Sequence, residues 1–420
     1  MNGIQTLDYI CIFGYLVVAV GMGIYLSRNQ DTSDFFVARR SIPWILVSIS
    51  IIASLFSAIS FIAMPGEAIK NGLSYSVVML FSPFALLFVA YMMLKHFYSL
   101  RSYSAYEYLE QRFNLSARCI GAGVFLASRS LYLGVVLYAS AKAFAPAFGL
   151  DLESIIVVVG VVAIAYTCLG GMKAVIWSDV LQFAIIMAGV ITTCCLLARD
   201  VPGGFAGIFN YAFEHEHGWT ALSDPEFYYF EPFSLEFFKT RLNLWVIILS
   251  VMISTLGQFG TDQMALQRTF ATRSLKDCQK SMALNVVWNS VLGSLLFLMG
   301  IGLFTYYSQF PEQLAAGTAP DQWATHFIVH GLPPGVTGLM LAALLAAVMS
   351  TMDSGIHSLS TITMADFFRR LNWGQRSEQS DLILARVLTV AWGGLAIGLS
   401  LAISQMSEGA GATLMEVTMV

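Results

Sequence analysis

The stretch WILVSISIIASLFSAISFIAMPGEAIKNG, residues 44–72, decides the fold. It is apolar and long enough to cross a bilayer, because a span needs about 20 residues. Its middle is crowded with serines at Ser54, Ser57 and Ser60. Pro65 and Gly66 follow them, and proline removes a backbone donor while glycine loosens a helix. We therefore expect this helix to unwind between Phe56 and Gly66.

A second apolar run, LWVIILSVMISTLGQFGTDQMALQRT at residues 244–269, carries a similar interruption at Gly257 and Gly260. Counted after the first span of the chain, the two interrupted helices are the first and the sixth. They occupy corresponding places in two five-helix halves, which is typical of an inverted-repeat transporter with a binding site near the midplane. Kinked but continuous helices would fit either run alone, but they fit the matched pair less well.

The composition is that of a polytopic membrane protein. Of the 420 residues, 57% are hydrophobic and 11% are charged, whereas soluble domains contain about 25% charged residues. The net charge of −4 gives no reason to expect a nucleic-acid partner. The six cysteines show no paired spacing, so we interpret them as small hydrophobic residues. No Walker A motif or hydrolase constellation is present, so neither an ATP-driven pump nor an enzyme is expected.

Ten apolar runs are long enough to span the bilayer. They cover residues 7–27, 42–66, 73–94, 119–148, 152–169, 174–197, 242–265, 282–307, 336–364 and 380–404. We divide this single transmembrane domain into an extra N-terminal helix, a first five-helix repeat, an outside loop, an incomplete second repeat and an outside segment. Their respective limits are 7–27, 42–197, 198–241, 242–404 and 405–420.

Lysine and arginine predict the orientation, because they are enriched in cytoplasmic loops. With the N-terminus outside, the inside loops hold fifteen basic residues: Arg28, Arg39, Arg40, Lys95, Arg101, Arg112, Arg118, Lys173, Arg268, Arg273, Lys276, Lys280, Arg369, Arg370 and Arg376. The outside segments hold four: Lys70, Arg199, Lys239 and Arg241. We therefore expect a multi-pass protein of the cell inner membrane or plasma membrane with its N-terminus outside.

Two loops contain segments that predict helical structure. The outside loop 199–240 contains the aromatic-rich segment Phe227 to Phe233, which predicts a partly helical loop at the membrane surface. Its Glu214-His215-Glu216-His217 run favours a solvated turn over a metal site, because too few ligands converge. The inside loop Ser102 to Asn114 reads as a short amphipathic helix.

The stretch AALLAAVMSTMDSGIHSLSTITMAD, residues 342–366, combines apolar character with hydroxyls and carboxylates. One helical face presents Ala347, Ser350, Thr351 and Ser354, and Asp353 flanks it. Such oxygens suit an alkali cation, and a carboxylate in hydrocarbon indicates an ion or proton path. The alternative is a small-residue packing face whose hydroxyls bond to their own helix.

Several motifs in order resemble the sodium:solute symporter family: ASLFSAISFIAMPGEAIKNG at 53–72, SAYEYLEQRFN at 104–114, YTCLGGMKAVIWSDVLQ at 166–182, TDQMALQRTFA at 261–271 and AAVMSTMDSGIHSLSTITMADFF at 346–368. The resemblance implies an all-α LeuT-type fold, preceded by one extra helix, and transport driven by sodium. The family has ten core helices after the first, whereas this sequence supplies nine. We expect the last core helix to be missing and the chain to be part of a longer protein.

The resemblance also implies two ion sites. The central sodium would be bound by the carbonyls of Ala53, Phe56 and Ala347 and the hydroxyls of Ser350 and Thr351. Asp179, Asp353 and Ser354 match a second sodium site found in some members, notably sialic acid carriers. Because Asp353 offers a carboxylate where a hydroxyl is usual, this pair of carboxylates would hold either sodium or a proton. The alternative is a structural role, in which Asp179 caps a helix or pairs with another residue near the inner surface.

The solute is expected beside the helix breaks. The residues expected to line its site are Ser57, Ser60, Phe61, Tyr75, Met79, Ser82, Thr255, Gln258, Phe259 and Asn289. The neutral-sugar branch would have glutamate, tyrosine and lysine in place of Met79, Gln258 and Asn289. The sequence is therefore more similar to the sialic acid and monocarboxylate/iodide branches.

Arg129 lies inside a span, where a guanidinium is costly unless paired. It is expected to bind a solute carboxylate, with snorkelling towards the inside, or pairing with Asp179 or Asp353, as alternatives. These features predict a monomeric, sodium-coupled symporter that imports a small organic anion such as a sialic acid or monocarboxylate. The alternatives are a sodium symporter for neutral sugars, nucleosides or amino acids, and a transporter-like solute sensor. A channel is disfavoured by the broken helices.

Overall fold

The computed structural model describes residues 4–27, 30–99, 103–230, 243–315, 317–371 and 377–410. Within these ranges the chain is helical apart from connecting turns and one isolated bridge between Ile42 and Thr272. We number the longer helices in chain order: α1 Thr6–Leu26, α2 Thr32–Val37, α3 Trp44–Leu55, α4 Ala58–Asn71, α5 Ser74–Ser99, α6 Glu107–Arg112, α7 Leu115–Phe148, α8 Leu152–Asp200, α9 Gly204–Glu214, α10 Leu244–Gly260, α11 Gln263–Phe270, α12 Leu275–Gln309, α13 Trp323–His330, α14 Val336–Arg369 and α15 Glu378–Ala410.

Among the described residues, seven helices are long and apolar enough to cross a membrane, and the bent pairs α3–α4 and α10–α11 raise the number to nine if each pair is one span. The ten predicted spans stay a prediction. They would be reached if α8 crosses twice, since its 49 residues are more than twice as long as the roughly 30 Å bilayer core requires. Gly171 divides α8 with a φ of 57° and a ψ of −164°. Within a span the backbone is helical because lipid cannot satisfy free amides and carbonyls.

Gly171 cannot be replaced without strain. Its dihedral angles lie in a region that only glycine adopts readily, and a Cβ there would lie 2.8 Å from Phe35 Cδ2 and 2.9 Å from Phe35 Cα. We expect Gly171→Ala to destabilise the purified protein by about 1–3 kcal/mol or more, measured by thermal unfolding in detergent. Gly123→Ala in α7 is the matched control, because its Cβ meets nothing within 4 Å. Equal melting temperatures for both variants would contradict this prediction.

The first helix break begins at Phe56, as the sequence indicated, but it is shorter than expected. Helices α3 and α4 are bent by 72°, and the extended residue is Phe56 (φ −87°, ψ 104°). The Ser57 side chain then caps α4 by accepting a hydrogen bond from the Ser60 amide at 3.3 Å. Because this cap restarts the helix at Ala58, Pro65 lies inside α4, and unwinding as far as Gly66 is wrong.

The second break lies after Gly257 and Gly260, and not at these glycines as the sequence indicated. Helices α10 and α11 are bent by 49°. The Gly257 carbonyl accepts hydrogen bonds from the amides of Thr261 and Asp262 at 3.2 and 3.1 Å. The helix is therefore still hydrogen-bonded up to Gly260. Asp262 then caps α11 through the Met264 amide at 2.8 Å. Both spans are discontinuous as predicted, and in each a polar side chain caps the second half.

Helix α14 lies at the centre of the bundle. In its most apolar window 94% of the residues are buried, compared with 22% for α1 and α15. A helix that is buried on all sides contacts protein around its whole circumference. The hydroxyls and carboxylates of α14 therefore face α3, α7, α8 and α11 instead of lipid.

An ion-pair network joins α6, α7 and the end of α14 on one face of the bundle. Arg118 Nε donates to Asp366 Oδ1, and Arg118 Nη1 donates to Glu110 Oε2, both at 2.8 Å. Arg370 also binds Glu110. The Arg370 and Arg118 guanidinium groups hold the pKa of Glu110 at about 2, so Glu110 stays ionised at physiological pH. The predicted short helix is present as α6, although residues 100–102 lie outside the described residues.

The loop after α8 is partly helical, as predicted, with α9 and two short 3-10 turns at Thr220–Ser223 and Pro225–Tyr228. Residues 231–242 lie outside the described residues, together with Arg28, Arg101, Arg376 and segment 411–420. His217 Nε2 binds the Ile69 carbonyl at 3.0 Å, so it holds the loop against α4.

Candidate functional site

The predicted ligands of the central sodium meet where α3 ends against α14. Ser350 Oγ lies 2.9 Å from the Ala53 carbonyl and 3.1 Å from the Ala347 carbonyl. Thr351 Oγ1 lies 3.2 Å from the same Ala347 carbonyl. All four residues are fully buried. This arrangement brings carbonyl and hydroxyl oxygens of two helices within reach of one another.

The break explains why the Ala53 carbonyl is available. In a continuous helix it would accept the amide of residue 57, but α3 ends at Leu55. Ser350 donates to this carbonyl instead. Phe56, the fifth predicted ligand residue, is the extended residue of the break and is buried with 7% exposure. Neutral oxygens of this kind can replace the water shell of a monovalent cation.

The three residues of the predicted second ion site also come together, but around a side chain that sequence reasoning missed. Asp179 Oδ2 accepts a hydrogen bond from Arg268 Nη2 at 3.1 Å. The same Nη2 donates to Ser354 Oγ. Ser354 Oγ in turn donates to Asp353 Oδ1 at 3.0 Å, and Tyr166 donates to Asp353 Oδ2 at 2.7 Å. A guanidinium thus lies between Asp179 and Ser354.

Arg268 was expected in an inside loop, and that assignment is wrong. It lies in α11, all eight residues of which are buried, and its own exposure is 0%. The available signal was its place in the second half of a discontinuous span, six residues after Asp262. Gln267 is buried beside it and donates to the Phe36 carbonyl at 2.9 Å. The second half of α11 therefore inserts polar side chains into the bundle.

Two adjoining cavities of about 310 and 190 Å³ lie between the helix breaks. The residues lining both are Phe56, Met64, Ser82, Thr255 and Asn289. Of the predicted solute-binding residues, those that line at least one cavity are Ser60, Tyr75, Met79, Ser82, Thr255, Gln258, Phe259 and Asn289. Asn289 Nδ2 lies 3.5 Å from Ser82 Oγ across the chamber. The expectation of a chamber beside the breaks therefore agrees with the geometry.

Three predicted solute-binding residues do not line these cavities. Ser57 is the helix cap of α4, and Phe61 is fully buried against Phe56, with ring centroids 6.4 Å apart. Arg129 forms an ion pair with Asp262, where the two side chains are 13% and 14% exposed. Arg129 therefore pairs with neither Asp179 nor Asp353, the two carboxylates that the sequence suggested. In the sequence, Asp262 stands out only as part of the TDQMALQRTFA motif.

Sequence reasoning also missed lining residues one helical turn from those it found. Ser250 and Ser254 of α10 line the larger cavity, and Ser254 lies four residues before the predicted Gln258. Their four-residue spacing was the available signal. Gly293 also lines the larger cavity, where a Cβ would lie 2.2 Å from Met79 Cε, the end of a flexible side chain.

Two discontinuous helices that flank a chamber, beside a cluster of buried oxygens, are typical of a membrane transporter. The model of the sodium:solute symporter family matches residues 35–417, and the chain belongs to that family. Sodium is the coupling ion of this family.

Individual relatives agree with this assignment. The chain is 28% identical to the sodium/sialic acid symporter SiaT of Proteus mirabilis over 92% of this chain and 76% of that one. It is 31% identical to the human sodium-coupled monocarboxylate transporter 1 over 95% of this chain and 64% of that one. A solved structure of a Na⁺-coupled sialic acid symporter, in a substrate-bound outward-open state, superposes with a TM-score of 0.89 at 25% identity. It covers 96% of this chain and 83% of that one, which confirms the LeuT-type fold.

Proposed function

We propose that the protein imports a small organic anion together with sodium, by alternating access, with a short monocarboxylate as the preferred class of solute. The observation that carries this proposal is the chamber between the two breaks, which adjoins the oxygen cluster of Ala53, Ala347, Ser350 and Thr351. Phe56 belongs to both, since it lines the chamber and ends α3. Sodium bound there would order the break and thereby raise the affinity for solute, and solute would raise the affinity for sodium by the same factor.

The lining of the chamber supports an anion that is recognised by neutral donors. No lysine or arginine lines either cavity among the described residues. Ser60, at the start of the 14-residue helix α4, lines the smaller cavity, and the N-terminal end of a helix favours negative charge. The hydroxyl of Thr255 and the amide of Asn289 add donors on the opposite side. Arg129 is paired with Asp262, so its guanidinium is not available to bind a solute carboxylate. This favours a small monocarboxylate over a large anion that needs a guanidinium.

The orientation and the repeat boundaries belong to the same proposal. An N-terminus outside the cell places the Arg118–Asp366 network at the inner face. Residues 42–197 and 242–404 would then act as the two repeats. The ion pair between Arg118 and Asp366 would have to break when the chamber opens towards the inside.

The test is uptake of radiolabelled solutes into proteoliposomes with sodium outside and choline as the replacement cation. The panel contains pyruvate, lactate, N-acetylneuraminic acid, galactose, proline and uridine. We expect accumulation of the monocarboxylates that requires the inward sodium gradient and collapses when a sodium ionophore is added. Sodium-driven uptake of galactose, proline or uridine alone would contradict the anion assignment. Preferential uptake of N-acetylneuraminic acid would agree with an anionic solute but would contradict the proposed preference for short monocarboxylates. Uptake that is equal in choline would contradict symport.

A further inference from the structure

We propose that Arg268 is a tethered cation that takes the place of a second sodium ion, so that one sodium binds per chain. This inference rests on the proposed function, because it concerns the number of ions that the symporter uses. It departs from the expectation that Asp179, Asp353 and Ser354 would bind a mobile cation. The positive charge between two of these side chains already belongs to the chain itself.

The guanidinium is held on every side. Arg268 Nε donates to Ser50 Oγ at 2.8 Å, and Nη1 donates to the Met264 carbonyl at 2.8 Å. Nη2 donates to Asp179 Oδ2 and to Ser354 Oγ. These partners lie on α3, α8, α11 and α14, and both Arg268 and Asp179 have side chains with 0% exposure. A planar guanidinium that donates in several directions is well suited to such a buried site.

The oxygens that a sodium ion would need already take part in hydrogen bonds with Arg268 or with each other. Ser50 Oγ accepts from Arg268 and donates to Asp179 Oδ2. Ser354 Oγ accepts from Arg268 and donates to Asp353 Oδ1. Sodium binding requires several converging lone pairs, and here the guanidinium of Arg268 donates to Ser50 Oγ, Asp179 Oδ2 and Ser354 Oγ. An ion could enter only if the guanidinium left.

The remaining carboxylate oxygens do not form a replacement site. Asp353 Oδ2 accepts hydrogen bonds from Tyr166 at 2.7 Å and Ser178 at 3.3 Å. Asp179 Oδ1 is buried without a hydrogen-bond partner among the described residues, but it is a single oxygen. The positive charge that offsets Asp179 is already supplied by Arg268. The cluster therefore has a resident cation and lacks the ligand set for a mobile one.

The test counts sodium ions with equilibrium binding of ²²Na⁺ to purified protein. We expect one ion per chain for the unmodified protein and for Asp179→Asn, because Asp179 is not a ligand. Ser350→Ala should lose that ion. Two ions per chain, falling to one in Asp179→Asn, would overturn this inference and leave the symport proposal intact. Binding of no sodium by the unmodified protein would overturn the proposed function itself.

Arg268→Gln tests the role of the arginine directly. Without the guanidinium, Asp179 and Asp353 would attract a cation, and we expect the count to rise from one to two. Arg273→Gln is the matched control, since Arg273 makes only an exposed contact to the Ser41 carbonyl among those described. A folded Arg268→Gln protein that still binds one ion would contradict the proposal. If that variant does not fold, the count for the unmodified protein still decides the question, since two ions per chain would overturn the inference.

Discussion

Ser350→Ala is expected to raise the sodium concentration needed for uptake at least tenfold, while the protein remains expressed and folded. Ser350 Oγ contacts both the Ala53 and the Ala347 carbonyls, so it lies at the point where α3 meets α14. A hydroxyl that contacts an ion contributes about as much as a hydrogen bond to a charged group, roughly 1.5–3 kcal/mol. Its loss would therefore weaken sodium binding by roughly 10- to 150-fold. Thr351→Ala should act in the same direction, because Thr351 is a ligand of the same proposed site.

The measurement is the sodium concentration that gives half-maximal uptake in proteoliposomes, with the amount of folded protein checked by size-exclusion chromatography. Ser358→Ala is the matched control, because Ser358 lies on the same helix, is equally buried and has no hydrogen-bond partner for its hydroxyl among the described residues. We expect the control to keep its sodium dependence. Unchanged sodium dependence in both Ser350→Ala and Thr351→Ala would exclude this cluster as the sodium site.

The spans and the two discontinuous helices could be predicted because their signals are local. Each span is a run of apolar residues, and each break lies beside small or polar residues such as Ser57 or Gly260. The position of each break could not be predicted as well, because a cap decides it. Ser57 and Asp262 restart their helices, and only the structure shows which of several polar residues does so.

The ion pairs could not be predicted, because they join residues that are far apart in sequence. Arg268 meets Asp179 across 89 positions, and Arg129 meets Asp262 from a different helix. Hydropathy places such residues in or near a span, and the cost of a buried charge says that each needs a partner. Neither argument identifies the partner. The central cluster was identified because the resemblance assigned all five ligand residues together.

The Arg129–Asp262 pair is expected to stabilise the second break and not to bind solute. Asp262 caps α11 through the Met264 amide and also forms an ion pair with Arg129, whose guanidinium lies 4.9 Å from the Tyr132 ring centroid. Removing one charge from a largely buried pair leaves the other uncompensated, at a cost of about 3–5 kcal/mol. Arg129→Gln and Asp262→Asn should each lower stability by that amount. Asparagine remains a good helix cap, so Asp262→Asn tests the charge alone.

The double variant Arg129→Gln/Asp262→Asn separates the two roles of Arg129. If the arginine acts by pairing, removing both charges should recover most of the stability lost in either single variant, since no buried charge then lacks a partner. Thermal unfolding measures this recovery, and the KM for the transported anion should change little in the recovered protein. If Arg129 instead held the solute carboxylate, Arg129→Gln would raise that KM at least tenfold, and the double variant would remain impaired. The KM of the double variant therefore decides whether the guanidinium serves the helix break or the solute.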